Sequence, residues 1–348
     1  SVRKVLVVNH LLLGDTLMLT PLLKAIRLHY PDALIKFACP VGYVSLYSQK
    51  PYGVDAIGFD LRSPTSLWNL ILYQRGYDIA FVPGDNRWSW LAAAMGSRWI
   101  VAFSGDKKWK NFPVDELVEF PNHCAAWGDI STHFLPVLPD LHYLSSDWIA
   151  PPCKDFLLPN LPYIVLHLGA SKFHKYWHSD NWIALAEWIR KQGICVVWSA
   201  GKNERKLVNN VSPLTVDIDY SGQLDLNQIW HLLKGAKALV CPDTGIAHLG
   251  RVVGVPTVTL FGPGSPLISG AGVFWEKSPY LALWDESVAC RNQTLLFERD
   301  LSWVRHCWRD VNECLNPSCM EKINISCVIN GLKVLAANCF NCELIFHE

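Results

Sequence analysis

Short apolar runs rich in β-branched residues alternate with stretches of helical spacing along most of this chain, a rhythm that fits parallel sheets built from βαβ units. KVLVV at 4–8 opens the series. In the stretch 15–30, Leu19, Leu22, Leu23 and Ile26 recur at helical spacing before Pro31 stops the pattern. LIKFAC (34–39), DAIGFD (55–60), YDIAFVP (77–83) and WIVAFS (99–104) read as further strands of a first domain. Between residues 107 and 162 prolines recur and periodicity fades, as in PPCKDFLLPNLP, so the linker is placed there.

A second series follows, with strands at YIVLHLG (163–169), ICVVWSA (194–200), ALVCPD (238–243) and PTVTLFG (256–262). Helices are predicted over 180–192, 226–233 and up to Val253. With 348 residues, two cores are expected. The predicted domains are 1–150 and 151–325, with a helix and tail over 326–348 that crosses back to brace the first domain. The class is α/β: two Rossmann-like domains whose parallel sheets face a central cleft, ligands binding at the carboxyl ends of the strands.

Thirty-one basic and thirty-one acidic residues leave no excess charge to argue for nucleic acid. The opening VRKVLVVNHLLLGD imitates an export signal, but Asn9, His10 and Asp15 interrupt it and no cleavage site follows. It reads as a buried strand of a cytoplasmic protein. No later apolar run reaches the roughly 18 residues of a membrane span, which leaves peripheral contact at the inner face of the membrane open. The sixteen tryptophans are assigned to packing.

Three polar turns interrupt apolar strands. In CPDTG the strand yields to a helix at Thr244 or Gly245, whose first amides lack internal partners and suit an anion, with His248 one turn on. The alternative is that Asp243 and Thr244 cap the helix and His248 packs on its side. HLGASKFHKYW (167–177) places Ser171, Lys172 and Lys175 before a helix, fitting either a diphosphate or a solvated loop. NHLLLGDTLMLTP (9–21) is not G-x-G-x-x-G, and its Asp15 is either a helix cap or a general base.

Together, GDTLMLTPLLKAIRLHYPDALI, the K-x-W after a glycine-containing strand end, and PDTGIAHLGRVVGVPTVTLFGP resemble glycosyltransferase family 9, the ADP-heptose heptosyltransferases of lipopolysaccharide core synthesis. The resemblance implies a GT-B fold and an inverting transfer of heptose from ADP-heptose to an acceptor hydroxyl without a catalytic metal. It implies Asp15 as base, Lys175 with Ser171 on the diphosphate, and Asp243, Thr244, Gly245 and His248 around the donor's phosphates and sugar. In the usual motif an arginine or serine shortly precedes the GD pair; here Asn9, His10 and three leucines stand there. His10 is a candidate for the acceptor or a satisfied histidine. The resemblance implies that the loops GDNRWSW and GDKKWKNF offer Arg87, Lys107, Lys108 and Lys110 to the anionic groups of a lipopolysaccharide core; the alternative is loops with routine charges.

Seven of the twelve cysteines fall in the last sixty residues. In a reducing compartment, Cys290, Cys307, Cys314 and Cys319 read as a tetrahedral iron or zinc site of structural kind, or as four reduced thiols. Family relatives that modify autotransporters carry a cysteine-bound iron, which makes a protein O-heptosyltransferase one alternative. Another is a non-catalytic nucleotide-sugar-binding or metal-stabilised assembly protein. Cys339 and Cys342 form a C-x-x-C assigned to a frayed tail.

Overall fold

The computed structural model describes residues 2–315, 317–338 and 346. The chain divides into two compact units. Unit 1 comprises Ser1–Pro151, Gly272–Glu276 and Thr294–Val304; unit 2 comprises Pro152–Ala271, Lys277–Gln293 and Arg305–Glu348. Among the described residues no helix is long and apolar enough to cross a membrane.

In unit 1 the strands β1 (Lys4–Val8), β2 (Leu34–Pro40), β3 (Val54–Phe59), β4 (Ile79–Val82), β5 (Ile100–Phe103) and β6 (Glu116–Val118) pair in parallel. Their order is β3-β2-β1-β4-β5-β6, so the winding reverses between β1 and β4. The sixth strand falls within the stretch read as linker.

The helix expected over 15–30 is two helices, α1 (Leu13–Leu17) and α2 (Thr20–His29). The break has a cause. Pro21 has no amide to continue the first ladder but suits the opening turn of a second helix. Helices α3 (Pro64–Tyr73) and α4 (Ser89–Ala94) were not predicted, and α5 (Trp127–Ser131) lies inside the presumed linker.

The two returning segments complete this unit. The Asp129 carboxylate in α5 accepts the amides of Val273 at 2.7 Å and Phe274 at 3.1 Å. From the hairpin of Leu295–Leu296 and Arg299–Asp300, the buried Arg299 donates to the carbonyls of Gly84, Phe103 and Ser104 and to Asn86 Oδ1. Burial pushes its guanidinium down to about 10, opposed by the charges of Asp106 and Asp85.

Unit 2 repeats the topology. β7 (Tyr163–His167), β8 (Cys195–Ser199), β9 (Ile218–Asp219), β10 (Ala238–Pro242), β11 (Thr257–Phe261) and β12 (Tyr280–Trp284) are ordered β12-β11-β10-β7-β8-β9, all parallel, with the reversal between β7 and β10. Helices α6 (Ser179–Lys191), α7 (Arg205–Val211), α8 (Leu226–Gly235) and α9 (Gly245–Val253) intervene. α8 starts at a capping box in which Asp225 and Gln228 satisfy each other's amides.

The last described helix, Ile325–Asn338, was expected to brace the first domain. It belongs instead to unit 2 and packs against β11, β12 and α6. Val328, Leu332 and Leu335 join that core, and Gly331 permits the approach, since a Cβ there would meet Leu281 at 2.9 Å.

Candidate functional site

In a sheet of this winding, the loops after the two strands flanking the reversal diverge and leave a crevice at the carboxyl ends. In unit 2 those strands are β7 and β10, followed by the turns that hold Lys175 and Asp243.

The structure brings these two together. Lys175 Nζ donates to the Asp243 backbone carbonyl and to its Oδ2, both at 2.8 Å. The pair is largely withdrawn from water, with side chains 18% and 9% exposed. An ammonium has three donors, and Asp243 takes two. Gly264, in the loop after β11, is required here because a Cβ would meet the Asp243 carboxylate.

Asp243 therefore does not cap α9. The N-cap residue is Thr244, in extended conformation, and its side chain makes no capping hydrogen bond. The first amides of α9, from Gly245 onward, keep the donor character of a helix start. Gly250 lets this helix approach the sheet closely, a Cβ there meeting Thr257 Oγ1 at 2.6 Å and Leu239 at 2.9 Å.

His248 is buried on α9, and Arg251, one turn on, bonds its Nδ1. A guanidinium only donates, so Nδ1 is the acceptor and the ring proton sits on Nε2. Burial, then the charges of Arg251 and Lys175, hold the imidazole well below its usual range, so it is neutral. Arg251 is fixed by the Ser269 carbonyl at 3.1 Å and lies over the Tyr280 ring at 4.7 Å. Its role was not predicted; the signal was a lone arginine on the apolar face of α9.

Glu204 was also missed. Its carboxylate accepts the amides of Ala170 and Gly201, each at 2.9 Å, tying the turn after β7 to the turn after β8. Ser171 is exposed beside that tie. Lys172 lies over the Trp308 ring at 4.5 Å, and burial lowers its pKa.

The end of β7 carries a pH liability. Burial pushes His167 down to about 4, its Nδ1 lying 3.0 Å from Ser199 Oγ. Because the unfolded imidazole binds a proton near 6.5 and the folded one near 4, the unfolded state holds more protons between those values. Stability is present above 6.5 and lost as pH falls toward 4. Urea unfolding at pH 5 should show about 2 kcal/mol less stability from this group than at pH 7. His167→Asn should flatten that part of the pH dependence; an unchanged slope would refute the assignment.

In unit 1 the reversal lies between β1 and β4. Buried Asn9 shapes the turn after β1, its Oδ1 accepting from Leu11 N and Thr16 Oγ1 at 3.2 Å each. Asp15 follows in the first turn of α1, half-buried; the N-cap is Leu12, which makes no side-chain cap. His10 packs on Phe59 and Trp88, with centroids 5.0 and 5.6 Å away, and burial lowers its pKa.

The basic loops are less uniform than the sequence suggested. Lys110 is not a surface cation: it is buried and holds Asp85 at 2.8 Å and Asp106 at 3.1 Å. Arg87 pairs with Asp85 at 2.7 Å and Lys107 with Glu298 at 3.2 Å, both largely exposed, and Lys108 is exposed.

The structure does not gather the cysteine quartet into a metal site. Among the described residues no group of three or more His, Cys, Asp or Glu side chains is placed to hold one. Burial, and then the charges of Cys290 and Cys307, raise the Cys319 thiol to about 11, and Cys307 Sγ lies 3.4 Å from Arg309 Nη1. Cys290 is exposed, and the Cys314 carbonyl lies 3.1 Å from His174 Nε2. Cys339 and Cys342 lie outside the described residues.

Comparison with known proteins bears on the same residues. Positions 143–287 match the family described as glycosyltransferase family 9 (heptosyltransferase). The chain is similar to lipopolysaccharide heptosyltransferase 1 of Pseudomonas aeruginosa, 32% identical over 115 residues, a stretch that is 32% of each protein. The match thus spans about a third of that relative's length.

Among solved structures, ADP-heptose lipopolysaccharide heptosyltransferase II of E. coli superposes with a TM-score of 0.71 at 17% identity, covering 96% of this chain and 98% of that one. The iron-containing dodecameric glycosyltransferase TibC of enterotoxigenic E. coli gives 0.63 at 14%, covering 97% and 77%. These likenesses show the fold: two Rossmann-like units of the GT-B class.

Proposed function

We propose that this chain, whose residues 143–287 match glycosyltransferase family 9, transfers heptose from ADP-heptose to a sugar hydroxyl of the lipopolysaccharide core, at the cytoplasmic face of the membrane. The observation that carries the reading is the Lys175–Asp243 pair at the reversal of the second sheet, set against the start of α9. It would set an ammonium donor beside the helix-start amides, which is what a diphosphate leaving group needs.

Asp15 accepts the proton of the acceptor hydroxyl, whose oxygen forms a bond to the anomeric carbon. The bond from that carbon to the phosphate oxygen breaks, and ADP departs with the electron pair from the opposite side, inverting the centre. Its developing charge is met by the remaining donor of Lys175 and the amides at Thr244 and Gly245, a preorganised arrangement that asks for no catalytic metal. Neutral His248 offers Nε2–H to the donor, and Ser171 a hydroxyl. Arg87, Lys107 and Lys108 of unit 1 serve the anionic acceptor, while His10 holds its loop by packing. No step is routed through the cysteines.

The test is binding and turnover of ADP-heptose beside UDP- and GDP-sugars, with deep-rough lipopolysaccharide and an autotransporter passenger as acceptors, with and without a chelator. Selective transfer from ADP-heptose to the lipopolysaccharide, unchanged by the chelator, is expected. Transfer to the passenger alone would move the acceptor to protein. Absence of selective ADP-sugar binding would refute the cradle.

A further inference from the structure

Helix α3 is apolar on two sides. Its inward residue Leu70, with Leu67 and Ile71, packs on the layer formed by Leu6, Val8, Ala80 and Val82. Outward, Trp68, Leu72 and Tyr73 are 60%, 56% and 76% exposed. A helix covered on one side only would carry polar residues there.

Helix α4 covers the same core layer through Leu91 and Ala92, and its outward Trp90 continues the pattern. Trp90 stacks on exposed Phe112, with centroids 5.7 Å apart and planes within 8°, and donates its indole N–H to the Trp109 carbonyl.

The charge on these segments is one-sided. Residues 61–77, 86–100 and 107–112 contain Arg62, Arg75, Arg87, Arg98, Lys107, Lys108 and Lys110 and no aspartate or glutamate; Arg87, Arg98, Lys107 and Lys110 are paired with Asp85, Asp78, Glu298 and, for Lys110, both Asp85 and Asp106. Arg62, Arg75 and Lys108 stand exposed.

We infer that this outer face of unit 1 binds an anionic phospholipid bilayer. Tryptophan and tyrosine settle at the headgroup level, Leu72 reaches the acyl boundary, and the cations meet lipid phosphates. A second copy of the chain is the poorer occupant, because a self-complementary interface would set the same cations against themselves. The inference deepens the proposed function, since it brings the chain to the surface that carries a lipid-anchored acceptor. Its test needs neither donor nor acceptor.

The intact chain would be sedimented at low salt with vesicles of phosphatidylethanolamine and phosphatidylglycerol, and with phosphatidylcholine alone. Binding to the anionic vesicles only, weakened by added salt, is expected. Arg62→Glu/Arg75→Glu should reduce partitioning at least about tenfold, because each cation near such a surface contributes appreciably. Trp68→Ser/Leu72→Ser/Tyr73→Ser should do likewise.

Turnover on a soluble saccharide acceptor should be unchanged in both variants; if the parent itself lacks turnover, only the enzymatic reading falls. Were the triple variant unable to fold, the charge reversal alone decides. The inference is overturned if the parent stays in the supernatant, if the charge-reversed variant binds like the parent, or if light scattering shows that the variants break an oligomer.

Discussion

Asp15→Asn should lower kcat by about 10²–10⁴-fold, the usual worth of a positioned general base, while ADP-heptose affinity stays as it was. The substitution keeps the size of the side chain, so the half-buried first turn of α1 and the Asn9 turn before it should hold their shape. Donor affinity is the discriminating control. Asp15 belongs to unit 1, whereas Lys175, Asp243 and His248 belong to unit 2, so a loss confined to kcat separates proton transfer from donor binding. Unchanged kcat would remove Asp15 as the base.

The second large effect is expected at Lys175. Lys175→Met leaves the nearly buried Asp243 carboxylate without its cation, and removing one partner of such a pair typically costs about 3–5 kcal/mol. The same change should weaken ADP binding at least about tenfold, since charge-assisted contacts to a phosphate are among the stronger single hydrogen bonds. The two consequences can be told apart. Lys175→Met/Asp243→Asn removes both charges and should regain most of the stability without regaining ADP affinity. Thermal unfolding and calorimetric titration of ADP would read both. If the double variant binds ADP like the parent, Lys175 is a structural lysine.

What the sequence disclosed followed from periodicity. Strands buried on both faces, such as β1, β7, β10 and β11, are mostly apolar runs and were placed to within a residue or two. β6 was not, because ELV is three residues long and mostly exposed, which leaves no apolar signature. α3 was missed for a different reason. Leu67, Trp68, Leu70, Ile71, Leu72 and Tyr73 run around the helix and produce no single stripe.

Of the site, the turn after β10 was legible because polar residues there interrupt two apolar strands. The Lys175–Asp243 contact was legible only as two separate motifs, since its 68-residue separation is closed by topology and not by local spacing. Arg251 and Glu204 carried no motif. Lys110 shows the converse: in KKWKNF nothing distinguishes the one lysine that the fold buries between Asp85 and Asp106.

Unit 1 is discontinuous, and that bears on how the chain is made. Domains ordinarily fold as units while the chain emerges amino terminus first. Here the hairpin that brings Arg299 to the carbonyls of Gly84, Phe103 and Ser104 is translated roughly 150 residues after Pro151, where the first part of the unit ends. During that interval the nascent unit holds those carbonyls without their guanidinium, and the segment 272–276 that Asp129 receives is not yet built. The amino-terminal unit is therefore the first to begin folding and cannot finish until most of unit 2 has left the ribosome.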